Sequence, residues 1–338
     1  MEIALLVLVC LCLVPTAFLN GLHDVSNAIA VPVRTRALSA TAAARLAAAA
    51  HVLGALTVLP LGLSVFAWFD MPDAEAGGIL TVLLMALVTV FGWNLYTYLR
   101  GMPTSSTHGM LAALLGGIFA LSALGLTDGD DTRALPWAAP ALTLLISPLV
   151  AFGAAYVLVF LCARLARTAD PDTVNERSRV IQAATAGVTS FGIGLQQGQR
   201  LMFLLMLAFA AAVPDHPHTW STAVFLVCVV AVGAGALTGG WRIGHFLGHR
   251  LVVLDPMRGM VAGVTTSGLL LFGSLAWALP LSTSLTAGSA IAGAGSNQRF
   301  ATVFWSPALK MVRFWIATPV VTGVTSCLLV LALSPLYS

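Results

Sequence analysis

Long apolar runs separated by short polar clusters dominate the chain. Runs with hardly a charge cover residues 3–19, 46–69, 79–99, 108–126, 135–162, 220–240, 259–279 and 314–334. Each approaches or exceeds the roughly 20 residues that an α-helix needs to cross a hydrocarbon core about 30 Å thick. Two further stretches, around 180–213 and 284–298, are shorter or carry polar interruptions. The pattern predicts about ten helical crossings. The alternation of apolar and polar positions that a membrane barrel needs is absent. The expected fold class is therefore all-α, a polytopic membrane protein. Residues 3–19 are not preceded by the basic stretch of a cleaved signal peptide, so they read as a retained helix.

Composition sharpens this picture. Of 338 residues, 59% are hydrophobic and only 9% are charged, against about 25% charged in soluble domains. A soluble chain of this size could not cover its surface with so few charges. That excludes a cytosolic enzyme, a nucleic-acid module and a disordered chain. The net charge of +3 is too mild to imply a polyanionic partner. The five cysteines, Cys10, Cys12, Cys162, Cys228 and Cys327, lie in or at the ends of apolar runs. They have no C-x-x-C spacing and no paired histidine, and read as small packing residues.

The charges fall into alternating loops. Arg34, Arg36 and Arg45 share one loop, and Asp70, Asp73 and Glu75 fill the next. Arg100 follows, then Asp128, Asp130 and Asp131 with Arg133. Arg164, Arg167, Arg177 and Arg179 mark the middle of the chain, Asp215 the next loop, and Arg242, Arg250 and Arg258 the one after. Arg299, Lys310 and Arg313 close the series. The positive-inside rule puts the basic loops in the cytoplasm and both termini on the far side of the inner membrane. The expected organisation is a first transmembrane repeat (1–162), a cytoplasmic basic and polar linker (163–179) and a second, inverted repeat (180–338).

Polar motifs recur at matching places in the two halves. Asn20-Gly21-Leu22-His23-Asp24-Val25-Ser26-Asn27 interrupts the first run, and Gly194-Leu195-Gln196-Gln197-Gly198-Gln199-Arg200 interrupts the sixth. Pro103-Thr104-Ser105-Ser106-Thr107 and Pro280-Leu281-Ser282-Thr283-Ser284 each precede an apolar small-residue run. Interrupted segments in corresponding positions point to a transporter site at the midplane. A proline suits the first turn of a helix, and the hydroxyls that follow can cap it. Two helix N-termini with hydroxyl clusters, Ser105, Ser106 and Thr107 facing Ser282, Thr283 and Ser284, would cradle a tetrahedral oxyanion. The plainer alternative is that these hydroxyls only cap and pack helices.

Asp24 stands out because a carboxylate within a membrane helix is costly and is a functional candidate by default. It could hold a cation or carry a proton, and His23 beside it could share that proton. Asn27 lies on the same helical face. Arg200 is the counterpart in the second half, fit to bind phosphate bidentately or to neutralise Asp24. Gln196, Gln197 and Gln199 add hydrogen-bonding groups beside it. His108 closes the first hydroxyl cluster, where capping, core packing and ligand contact are all open to it. His216 and His218 lie in an outer loop, and His245 and His249 on a segment entering a basic loop. None of these composes a metal site.

Gly21-Leu22-His23-Asp24-Val25-Ser26-Asn27-Ala28 resembles the G-x-[NH]-D-x-[AS]-N-A signature of the inorganic phosphate transporter family, in its bacterial low-affinity form. Pro103-Thr104-Ser105-Ser106-Thr107-His108, Gly240-Trp241-Arg242, Asp255-Pro256-Met257-Arg258-Gly259 and Thr318-Pro319 also resemble family landmarks, in order. The resemblance implies an inverted-repeat symporter of inorganic phosphate, driven by H⁺ or Na⁺, with no other cofactor. The cargo it implies is phosphate, free or as a neutral metal–phosphate complex. It also implies Asp24, Asn27 and both hydroxyl clusters as site residues. A homo-oligomer is left open. The second motif departs from the family's G-x-N-D-A-Q-K: Gln197 stands where an acid is usual, and Leu285 where the first cluster has a histidine. Besides phosphate symport, transport of another oxyanion such as sulfate, or a transport-dead sensor or partner subunit, is consistent with these departures.

Overall fold

The computed structural model describes residues 1–62, 69, 71–127, 138–213, 218–275, 281–297 and 303–336. Regular structure among them is helical, with one isolated bridge between Ala74 and Thr127. The first half contains α1 (Glu2–Asp24), α2 (Ser26–Arg34), α3 (Ala40–Leu56), α4 (Val58–Leu61), α5 (Ala76–Leu99), α6 (Ser106–Ala123) and α7 (Ala138–Leu165). The second contains α8 (Pro171–Ala212), α9 (His218–Leu237), α10 (Trp241–His245) running into a π-helical turn at Phe246–Leu251, α11 (Pro256–Leu275), α12 (Thr283–Ser296) and α13 (Trp305–Leu333).

The protein is a multi-pass membrane protein. Among the described residues, 6 helices are long and apolar enough to cross a bilayer, or up to 7 if the bent pair Ser221–Leu237 and Trp241–Leu251 is one span. The sequence-based tally of about ten also counts α8, α11 and α12. Those helices carry polar and small residues that the protein covers; α12 is buried from Thr283 to Gly295. Lipid-facing sides carry exposed large apolar residues such as Leu11, Leu149, Phe160 and Ile316.

The two polar stretches expected to break helices do not. α1 passes into α2 through Val25 alone, which keeps right-handed helical angles (φ −55, ψ −35). The Val25 N–H donates to the Gly21 carbonyl, and the N–H groups of Ala28 and Ile29 reach back to Val25. Residues 194–200 lie inside α8, a helix of 42 residues. The physical reason is the low dielectric: an intact helix satisfies its own backbone, and only the side chains then need partners from neighbours. The glycines of these stretches serve close packing. A Cβ on Gly194 would stand 2.1 Å from the His51 carbonyl oxygen of α3.

Two further expectations shift in detail. The connection at 163–179 is largely helical, because Asp170 caps α8 through the Thr173 N–H (3.0 Å) and the helix starts at Pro171. Pro103 sits before the first turn of α6, not in it, since Ser105 is the cap. Asp70, Asp128, Asp130, Asp131, Arg133, Asp215, His216, Pro280 and Arg299 lie outside the described residues. The five cysteines are free thiols.

Packing partners come in matched pairs. Let α1, α3, α5, α6 and α7 correspond in order to α8, α9, α11, α12 and α13. Then α1 on α9 matches α8 on α3, and α6 on α13 matches α12 on α7. α5 bridges α1 and α6 as α11 bridges α8 and α12. Close contacts repeat too: a Cβ on Gly235 of α9 would meet the Phe18 oxygen of α1 at 2.0 Å, as one on Gly54 of α3 would meet the Phe191 oxygen of α8 at 2.1 Å. Each half thus packs across onto the other.

The basic segments gather at one end. Arg179 Nε donates to the Thr35 carbonyl (3.1 Å), Gln182 to the Pro256 carbonyl (2.7 Å), and Arg258 to the Asn297 carbonyl (3.0 Å). Ala74, between Asp73 and Glu75, bridges Thr127.

Candidate functional site

α6 and α12 begin alike. Ser105 is extended (φ −95, ψ 107) and its Oγ accepts the His108 N–H at 3.2 Å. Ser282 (φ −84, ψ 117) accepts the Leu285 N–H at 3.2 Å. A serine in extended backbone that accepts from the third residue on is the preferred way to start a helix. The positive ends of both helix dipoles are thereby buried in the protein.

The polar stretches of α1–α2 and of α8 tie these starts together. Ser106 accepts from Asn94 of α5 at 3.1 Å, and Asn94 also donates to Asn20 at 3.0 Å. Thr107 accepts from Arg200 at 3.3 Å. Ser284 accepts from Asn27 at 2.9 Å. Asp24 is 1% exposed. Its Oδ2 accepts from Gln197 Nε2 at 3.0 Å and lies 3.6 Å from an Arg200 nitrogen. Its Oδ1 lies 3.3 Å from His23 Nδ1. Gln197 also donates to the Asn20 carbonyl at 3.1 Å. Of the two roles expected for Arg200, the structure places it on the carboxylate, with one arm on the α6 hydroxyl cluster. Buried charges need such pairing, because an isolated ion in low dielectric is prohibitively costly.

Among the described residues, Asn27 Oδ1, Gln197 Oε1, Thr286 Oγ1 and Arg200 Nε are buried with no hydrogen-bond partner. Each such atom costs about 1–3 kcal/mol unless something fills it. Two unmet carbonyl oxygens near a carboxylate suit a hard cation or a water, and an unmet guanidinium N–H suits an oxyanion. A cavity of about 20 Å³ reaches Asn27, bordered by Val31, Thr189, Gly259 and Ile291. That is room for about one water. Thr283, Gln196 and Gln199 are buried on the same elements.

A model of the phosphate transporter family matches residues 20–326. The chain belongs to the phosphate transporter family. Membership covers both polar stretches and both capped helix starts. A probable low-affinity inorganic phosphate transporter of Bacillus subtilis is 30% identical over 93% of this chain and 92% of its own length. One from Rhizobium meliloti is 30% identical over 92% and 91%. Among solved structures, a sodium-dependent phosphate transporter superposes with a TM-score of 0.81 at 17% identity, covering 98% of this chain and 99% of the other. That likeness carries the fold.

Sequence reasoning passed over several members of this buried polar cluster. Asn94 holds Ser106, and Thr97 and Thr104 both lie 3.3 Å from His23 Nε2. His51 is fully buried, with Nδ1 on the Ala47 carbonyl at 2.7 Å and Nε2 unmet. The available signal was a polar residue inside an apolar run. Asn94 and Thr97 sit three positions apart within 79–99, on one face of α5. His245 and His249, spaced for a metal, instead stack on each other with centroids 4.8 Å apart.

Proposed function

We propose that this protein carries inorganic phosphate across the cytoplasmic membrane by cation symport, with access alternating at the buried site. The relatives from Bacillus subtilis and Rhizobium meliloti are named as low-affinity phosphate transporters, and the fold neighbour as sodium-dependent. The observation that carries the reading is Arg200: buried, with Nε unmet, one arm on Thr107 and the other on Asp24.

That ion pair offers a physical origin for coupling. Phosphate binding to Arg200 and the hydroxyls draws the guanidinium off Asp24. The carboxylate is then buried and uncompensated, at a cost of roughly 3–5 kcal/mol. A cation at Asp24 removes that cost, so each ligand favours the other. The oxygens of Asn27 and Gln197 can help hold Na⁺, and His23 can share a proton. Gln197 in place of a second acid limits the site to one coupling cation. A neutral metal–phosphate complex would bring its own cation and relax the demand on Asp24. The matched packing of the halves supports an inverted repeat. The gathered arginines support a cytoplasmic basic end and external termini.

Labelled-phosphate uptake into proteoliposomes, with imposed Na⁺ and pH gradients and sulfate competition, tests the proposal. Uptake driven by one gradient and resistant to sulfate is expected. Folded protein that moves no phosphate under either gradient overturns it.

A further inference from the structure

At the basic end a second site lies apart from the buried hydroxyl clusters. A cavity of about 290 Å³ opens between the end of α5 and the segment after α9, lined by Leu99, Arg100, Gly101, Met102, Arg242, His245, Phe246 and Arg250. Gly101, Met102 and Phe246 form a buried floor. Arg100, Arg242, His245 and Arg250 are exposed around it. Among the described residues, none of the three arginines pairs with a carboxylate. Arg242 donates to the Leu99 carbonyl at 3.4 Å, and Arg100 lies over the Tyr96 ring at 5.3 Å. Three guanidinium groups around one apolar floor repel one another unless an anion lies among them. Planar guanidinium forks match the oxygens of a phosphoryl group.

The backbone is shaped to bring them together. The π-helical turn at Phe246–Leu251 carries Arg250, and α10 carries Arg242 and His245. Gly101, at φ 66, lets the α5 loop close on this segment; a Cβ there would stand 3.0 Å from the Arg242 carbonyl oxygen. The rim also sits at a defined depth. Tyr96, Leu99 and Trp241 are exposed beside the arginines, at 42%, 54% and 40%. Exposed tyrosine and tryptophan mark the membrane–water interface, the level at which lipid phosphates lie. Basic pockets between spanning helices on this side are suited to acidic head groups.

We propose that this pocket is a binding site for a phosphoryl anion, held by Arg100, Arg242 and Arg250. Two sources share that chemistry, an anionic phospholipid head group and free phosphate. The full-length protein, delipidated in neutral detergent, is titrated with short-chain phosphatidylglycerol, short-chain phosphatidylcholine and inorganic phosphate. The variant R100Q/R242Q/R250Q is expected to lose about a hundredfold in affinity for one anionic probe. Loss for phosphatidylglycerol over phosphatidylcholine identifies the lipid head group. Loss of one class of inorganic phosphate binding identifies the free ion. R100K/R242K/R250K keeps the charges and should retain most of the affinity, which separates charge from a folding defect. The site is overturned if R100Q/R242Q/R250Q binds every probe as the parent does. It is equally overturned if R164Q/R167Q/R177Q, altered at exposed arginines elsewhere, loses as much.

Discussion

The polar stretch of α1 and that of α8 occupy corresponding places and pack within reach of each other, but their chemistry differs. α1 supplies the acid, Asp24, with His23, and α2 directly after it adds Asn27. α8 supplies Gln197 and Arg200, both directed at that acid. Matched helix packing thus carries an unsymmetrical charge pattern, one carboxylate against one guanidinium. The capped starts of α6 and α12 show the same contrast. Both use a serine that accepts from the third residue on. The α6 cluster is held by Arg200, Asn94 and His108, and the α12 cluster by Asn27.

The largest test removes one side of the pair. Asp24→Ala should abolish phosphate uptake and cost roughly 3–5 kcal/mol, because Arg200 is left buried and unpaired. Thermal unfolding in detergent measures the loss. Asp24→Ala combined with Arg200→Met should be more stable than Asp24→Ala alone. Equal stability would show that the two charges do not depend on each other.

Next come the matched glycines. Gly54→Ala and Gly235→Ala each force a Cβ against backbone oxygen, at 2.1 and 2.0 Å. Each should cost about 1–3 kcal/mol, and the two melting-temperature shifts should agree. A large difference would separate α3–α8 from α1–α9 packing.

Gln197→Asp restores an acid to α8 beside Asp24. In cation-free buffer it should lower stability by roughly 2 kcal/mol through like-charge repulsion. Adding Na⁺ should recover the loss, and uptake should become more steeply dependent on Na⁺. Unchanged melting and uptake would show that the departure at Gln197 is neutral.

The smallest effects belong to the caps. Ser105→Ala and Ser282→Ala should each cost about 1 kcal/mol. Ser105→Ala should cost more, since it also strips the 2.6 Å contact to His108. Reversed sizes would mean that the α12 start is the more tightly held of the two.

Much of this site was legible in the chain. A proline followed two positions later by a serine marks both helix starts, Pro103 with Ser105 and Pro280 with Ser282. Asp24 and Arg200 were conspicuous because no loop explains them. Asn94 was hidden, because one amide in a long apolar run announces a need for a partner without naming it. The supposed helix breaks were misread for a related reason. Polar side chains and glycines look like interruptions in a row of letters, yet neighbours met the side chains and the glycines admitted those neighbours.

The sequence by itself determined the membrane class, the capped starts of α6 and α12, and the clustering of arginines into a few loops. These follow from local facts: the length of an apolar run, the geometry of a cap, and the cost of moving arginine across a bilayer. Only the tertiary structure decided that Asp24 meets Gln197 and Arg200, that Arg200 reaches Thr107, and that Arg100 joins Arg242 and Arg250. Burial in low dielectric demands that each charge find a partner, but which partner it finds depends on how distant helices pack.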